Sequence, residues 1–233
     1  MKTYAYLASL LIFAFVGFGL GGYYFLRAPT QPVNINAITP AGTITLEASP
    51  APASPYLGDT LTLDINAQAG IDHITAVQLE LTYDPTKLQV LKFEKTDYLP
   101  NYLASPVIAG GKVTTTLASP PDSGGRTNWG TLGKLTLKTL ALGSHSLNFG
   151  PNTLVAATST TGNSLKKADP ILLTVYNLGD LTRDKKVDLF DYNLFVTHYG
   201  TSGAGLLGDL DHNNKVDLFD YNLFVANYSK ISP

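Results

Sequence analysis

Residues 178–199 and 207–228 are two copies of one unit, offset by 29 residues. LGDL stands at 178–181 and again at 207–210, and KVDLFDYNLFV at 186–196 and again at 215–225. Eleven consecutive identities at a fixed offset are not chance. Each copy is one supersecondary unit, and the pair is expected to pack together. The aspartates follow the repeat. With Asp180 as position 1, the first copy has Thr182 at 3, Asp184 at 5, Asp188 at 9 and Asp191 at 12. With Asp209 as position 1, the second has Asp211, Asn213, Asp217 and Asp220 at the same places. All eight aspartates after residue 177 occupy these positions.

That spacing suits a hard cation. Calcium takes six to eight oxygens, which a wrapping loop supplies from alternate side chains and from a backbone carbonyl at position 7, here Lys186 and Lys215. A carboxylate at 12 comes from the first turn of the following helix. Without an ion, carboxylates gathered this closely repel. The competing reading is a pair of helices N-capped by Asp188 and Asp217, which leaves most of the aspartates unexplained. The expectation is up to two Ca²⁺ ions.

The unit resembles the type I dockerin repeat, over residues 178–229. The resemblance implies two EF-hand-like loop–helix halves with Asp at position 12 and an aliphatic residue at 8, here Val187 and Val216. Position 6, usually Gly in that family, is Lys185 and Asn214. Asn tolerates a left-handed backbone better than Lys does. Thr182 is also a weaker ligand than Asp211, so the second site is expected to bind more strongly. The resemblance further places Leu189, Phe190, Val196, Leu218, Phe219 and Val225 where dockerins contact cohesins. Tyr192, Phe195, Tyr221 and Phe224 fall where the family packs its own core. Burial of Leu189 and Phe190 within this chain is the alternative.

Residues 43–176 change to period two. Leu61, Leu63 and Ile65 alternate with Thr60, Thr62 and Asp64, as do Val77, Leu79, Leu81 and Tyr83 with Gln78, Glu80 and Thr82. Leu135 and Leu137, Leu147 and Phe149, and Ile171, Leu173 and Val175 repeat the theme. Each run puts an apolar face inward. Asp84-Pro85, Gly110-Gly111 and Pro120-Pro121-Asp122 are among the turn signals between them. Many short strands so spaced indicate a sandwich or jelly roll. AVQLELTYDPTKLQVLKFE at 76–94 and GTLGKLTL at 130–137 resemble a cohesin domain. That resemblance implies a nine-stranded jelly-roll sandwich that recognises a dockerin with one sheet face. Together the two likenesses point to scaffold or adhesion modules of the cellulosome type. Tyr83-Asp84-Pro85 reads as a structural turn. Trp129, the only Trp, reads as a core or core-edge residue, with a sugar-stacking ring as the alternative.

Ala5–Leu26 holds 22 residues without a charge. A helix of that length spans roughly 33 Å, enough for a hydrocarbon core. Tyr23 and Tyr24 sit where an aromatic belt would lie. Phe25-Leu26-Arg27-Ala28-Pro29 is a poor cleavage site, which favours a retained anchor over a removed leader. The expected plan is a membrane anchor over 1–27, a proline-containing spacer over 28–42, the sandwich over 43–176 and the repeat pair over 177–230. The bulk would lie outside the cell membrane, where calcium reaches the levels such loops need.

The absence of cysteine excludes disulfides and thiolate chemistry. A net charge of -2 gives nucleic acid no electrostatic purchase. His73, His145, His198 and His212 have no metal-ligand spacing, and Glu47, Glu80 and Glu94 form no evident glycosidase pair. The sequence therefore predicts a binding protein and no enzyme. Its expected partner is a cohesin- or dockerin-bearing protein, or this chain itself, within one copy or between copies. The alternative is a polysaccharide-binding surface protein with the repeat pair as a cap.

Overall fold

The computed structural model describes residues 42–50 and 54–233. The membrane segment expected at Ala5–Leu26 and nearly all of the spacer lie outside them. Among the described residues no helix is long and apolar enough to cross a membrane.

Eleven strands are described, where the cohesin resemblance implied nine. They are β1 (Ile44–Ser49), β2 (Thr60–Gln68), β3 (Ile74–Thr82), β4 (Leu88–Lys95), β5 (Asn101–Ala109), β6 (Lys112–Ala118), β7 (Trp129–Thr139), β8 (Gly143–Phe149), β9 (Leu154–Ala157), β10 (Leu165–Ala168) and β11 (Ile171–Val175). One sheet runs β10-β1-β2-β7-β4, and the other runs β11-β8-β3-β6-β5 with β9 beside β3. The alternating residues do what period two requires. Leu63 pairs with Leu135 and Leu61 with Leu137 across β2 and β7. Val77 pairs with Leu117 and Leu81 with Val113 across β3 and β6. Leu63, Leu79, Leu81, Leu117 and Leu135 are fully buried in one core cluster between the sheets. At roughly 25 cal/mol per Å² of apolar surface, that cluster is the main stabilising term of the sandwich.

The turns follow from their residues. Asp84 Oδ1 accepts from Thr86 N at 2.9 Å and from Thr86 Oγ1 at 2.6 Å, which fixes the Tyr83-Asp84-Pro85 corner as a structural turn. Gly110 and Gly111 join β5 to β6 with φ of 57° and 74°. A Cβ at Gly111 would stand 2.6 Å from the Tyr83 carbonyl, so this position requires glycine.

Trp129 departs from the expectation of a core or core-edge ring, being 56% exposed. It opens β7 opposite Gln68, the last residue of β2, where the sheet ends and no strand covers the indole. Its Nε1–H donates to Glu47 Oε1 at 3.4 Å.

The repeats form two ten-residue helices, α1 (Leu189–His198) and α2 (Leu218–Asn227). Helices this short are marginal alone. Capping and packing hold them. Asp188 and Asp217 accept from Phe190 N and Phe219 N, while Asp191 and Asp220 reach back to the capping residues, closing a capping box on each. Phe195 and Phe224 stack at 5.5 Å between centroids, within a cluster that also buries Leu181, Val187, Leu210 and Val216. Tyr192 and Tyr221, assigned to the core by resemblance, reach it only by a ring edge and stay 37% exposed.

Each loop is strapped by the chain that follows the other repeat's helix. Val187 N donates to Lys230 O at 2.9 Å and Ser229 N to Val187 O at 2.8 Å. The same exchange recurs 29 residues along, from Val216 N to Thr201 O at 3.0 Å and from Gly200 N to Val216 O at 2.8 Å.

Candidate metal centres and association surfaces

The first loop brings Asp180, Asp184 and Asp191 together, with one carboxylate oxygen of each within 4.8 Å of the others. The second gathers Asp209, Asp211 and Asp220 in the same way. Backbone amides set this geometry. Asp191 Oδ1 accepts from Thr182 N at 2.8 Å and from Thr182 Oγ1 at 2.9 Å, and its Oδ2 accepts from Asp188 N at 2.8 Å. Asp220 accepts from Leu210 N, Asp211 N and Asp217 N at 2.7, 3.1 and 2.8 Å. Position 1 is held by amides later in the loop: Lys185 N donates to Asp180 at 3.0 Å and Asn214 N to Asp209 at 2.9 Å. Those two donors belong to position 6, where Lys185 and Asn214 take φ of 77° and 66°. The left-handed backbone expected at position 6 is therefore adopted in both copies, by lysine as well as asparagine.

Asp180 is fully buried, and its Oδ1 has no hydrogen-bond partner. Burial raises its carboxyl above the usual value of 3.8, and the charge of Asp191 raises it further. A buried oxygen without a donor, facing two more carboxylates, matches what a hard cation needs. Asp188 and Asp217, counted at position 9, stand apart from the carboxylate clusters and serve as helix caps. Lys186 and Lys215 form single bridges to Ile231 and Ser202, within the straps.

The six helix positions singled out by resemblance, Leu189, Phe190, Val196, Leu218, Phe219 and Val225, are all exposed. Phe190 and Phe219 are 69% and 68% accessible. Burial of Leu189 and Phe190 within this chain is thus overturned. A cleft of about 460 Å³ opens between Val196 of α1, the capping Tyr199 that follows it, and Leu218 and Tyr221 of α2.

The two outer sheet faces differ. The five-stranded sheet carries the ion pairs Lys134–Asp64, Lys92–Glu94 and Lys167–Asp169. The six-stranded sheet carries a groove of about 300 Å³ lined by Gln78, Ala104, Val107, Thr114, Thr116 and Asn152. Its one ion pair, Lys112 to the buried Glu80, measures 3.8 Å. Glu80 thus lies on one sheet, and Glu47 and Glu94 lie on the other. Among the described residues no metal-holding group includes a histidine.

Two residues escaped the sequence reading. Arg183 and His212, both at loop position 4, touch the sandwich. The Arg183 guanidinium carbon lies 3.9 Å from the centre of the Tyr56 ring, and His212 Nε2 lies 3.3 Å from Asp59 Oδ1. The available signal was divergence: the copies are identical on either side of 182–185 and 211–214 and differ at all four positions between.

No protein-family model matches the chain. No curated protein matches it either. Solved structures do. A chain from the crystal structure of the CaDoc0917–CaCohA2 complex aligns with a TM-score of 0.50 at 18% identity, covering 57% of this chain and 99% of its own. The seventh ScaB type I cohesin of Pseudobacteroides cellulosolvens aligns at 0.49 and 18% identity, over 57% of this chain and 92% of its own. A non-cellulosomal cohesin of the archaeon Archaeoglobus fulgidus aligns at 0.47 and 16%, over 57% and 91%. The β-sandwich of this chain has a cohesin-like fold.

Proposed function

We propose that this chain is a membrane-anchored, extracytoplasmic scaffold or adhesion protein. In this reading the cohesin-like sandwich and a calcium-stabilised, dockerin-like tail each bind protein partners. The observation that carries it is the pair of identical apolar helix faces standing in solvent directly after two carboxylate clusters. Exposed apolar surface of this kind marks an interaction site. In each loop the side chains at positions 1, 3, 5 and 12 and the carbonyl of Lys186 or Lys215 would hold one Ca²⁺, the second site more tightly. The ion supplies charge balance and order. The chain's own residues supply the binding faces.

A helix face without charge suits a sheet face that does not force the desolvation of exposed ion pairs. Of the two outer faces, the six-stranded one meets that need. All six contact positions are open, which supports a partner from outside the chain, another copy included, over folding back. The test is sedimentation of the protein at millimolar Ca²⁺ and with chelator, alongside calorimetric titration. Calcium-dependent oligomers support linkage between copies. A monomer that retains calcium but captures a cohesin- or dockerin-bearing partner supports a foreign one. Absence of heat on adding calcium sinks the metal assignment.

The exposed indole of Trp129 favours a second reading, polysaccharide binding by the five-stranded face. Sugar platforms use several aromatic rings, and Trp129 is the one exposed ring in that region. Retention on insoluble polysaccharide, abolished by Trp129→Ala, is the result this reading requires.

A further inference from the structure

We propose that the two metal loops are also the joint that fixes the tail on its own sandwich, so that calcium sets the stiffness between the modules. This rests on the calcium reading above. The described residues fall within one compact unit, and the seam within it is made by the loops. Arg183 sits between loop positions 3 and 5, and His212 occupies the same place in the second copy. Both take a left-handed backbone, with φ of 62° and 61°. That conformation turns position 4 away from the ligands on either side of it and toward the sandwich.

Both side chains land on one short segment. Arg183 covers the Tyr56 ring at 3.9 Å and approaches the Tyr176 ring at 5.1 Å. His212 reaches Asp59. The segment is itself rigid. Tyr56 O accepts from Thr139 Oγ1 at 2.7 Å, and Tyr56 N donates to Asp59 Oδ2 at 2.9 Å. Leu57 N donates to Tyr176 O at 2.9 Å. Tyr56 is buried in the cluster that holds Val187, Val216, Phe195 and Phe224, although it belongs to the sandwich side of the chain. The chain's end anchors the start of the tail right beside the seam: Asn177 N and Nδ2 both donate to Ser232 Oγ at 3.1 Å.

Position 4 cannot hold its place unless positions 3 and 5 hold theirs. With the ion bound, Thr182 and Asp184 are fixed and Arg183 is presented to Tyr56. Without it, the three carboxylates gathered within 4.8 Å repel, the loop opens, and the guanidinium loses its seat. Linkage makes the effect reciprocal. Docking on Tyr56 and Asp59 must tighten calcium binding by the factor by which calcium tightens docking. The divergence of the copies at 182–185 and 211–214 fits this role. The helix faces stay identical because they meet the same kind of partner, while the loops meet different sides of one asymmetric platform.

The chain lacks cysteine, so Lys138→Cys and Asn193→Cys place one spin label on β7 and one on α1 of the full chain. The expected result is a single narrow distance population with calcium and a broad one with chelator. Arg183→Ala with His212→Ala should give the broad population even in calcium. That variant should retain its helical circular dichroism and bind calcium more weakly, by roughly fivefold or more. A narrow population in chelator, from protein that calorimetry shows to bind calcium, overturns the joint and leaves the calcium assignment standing. Unchanged calcium affinity in the double variant also overturns it. Absence of calcium heat in the parent chain overturns both.

Discussion

Asp220 is fully buried and accepts three backbone amides, from Leu210, Asp211 and Asp217. Asp220→Ala leaves those donors without a partner. At about 1–3 kcal/mol for each unsatisfied buried group, the tail should lose about 3 kcal/mol or more in calcium, measured by denaturant unfolding. On the calcium reading, calorimetry should show the second site gone and the first retained. A different aspartate contributes to acid behaviour in the sandwich. The hydroxyls of Ser159 and Thr43 donate to Asp72 and hold its carboxyl below the usual 3.8. A depressed folded-state value stabilises the fold above the unfolded value, and the contribution is lost as pH falls through the lower one. The stability gap between the parent chain and Asp72→Asn should therefore be constant near neutrality and close below pH 3.8. At this scale the carboxylate clusters were the most legible feature, because their spacing is local and the repeat shows it twice. Asp188 and Asp217 were ambiguous, since one position serves both a nine-spaced ligand and an N-cap. The Arg183–Tyr56 contact left only the divergence of the copies at 182–185 and 211–214, which marks the position but not its partner, because the partner lies in the other module. Trp129 misled because a lone aromatic in a β pattern usually faces the core, and only the sheet's end decides otherwise.

The helices separate packing from recognition within ten residues. Phe195 and Phe224 stack inward, while Phe190 and Phe219 face solvent. Phe195→Ala should cost about 3–5 kcal/mol and remove most of the tail's helical circular dichroism. Phe190→Ala and Phe219→Ala should each change stability by less than about 0.5 kcal/mol. On the proposed reading, together they should abolish any calcium-dependent association in sedimentation, which no change in folding would then explain. Within the sandwich, Leu79→Ala on β3 should cost about 2–5 kcal/mol, read from the unfolding midpoint. The long alternating strands β2, β3 and β7 were legible because each buries one whole face. β9 and β10, of four residues each, carry too few alternations to announce themselves. The parallel pairing of β10 with β1 depends on a crossover that no local pattern encodes.

Across the whole molecule, the cohesin-like sandwich and the duplicated tail read as separate blocks in sequence, yet they share the cluster around Tyr56. Tyr56→Ala should therefore weaken both the module seam and the tail's own packing. Its expected signature is a tail that melts before the sandwich in calcium, as two resolved calorimetric transitions where the parent chain gives one. The straps carry a further consequence. Ser229 and Lys230, near the C-terminus, clamp Val187 in the first loop, while Gly200 and Thr201 clamp Val216 in the second. The halves are thus interlaced: neither copy is finished until the other has been made. A protease that trims the chain just beyond Asn227 would spare the adjacent carboxylate cluster and cripple the distant one, because the clip it removes belongs to the earlier loop.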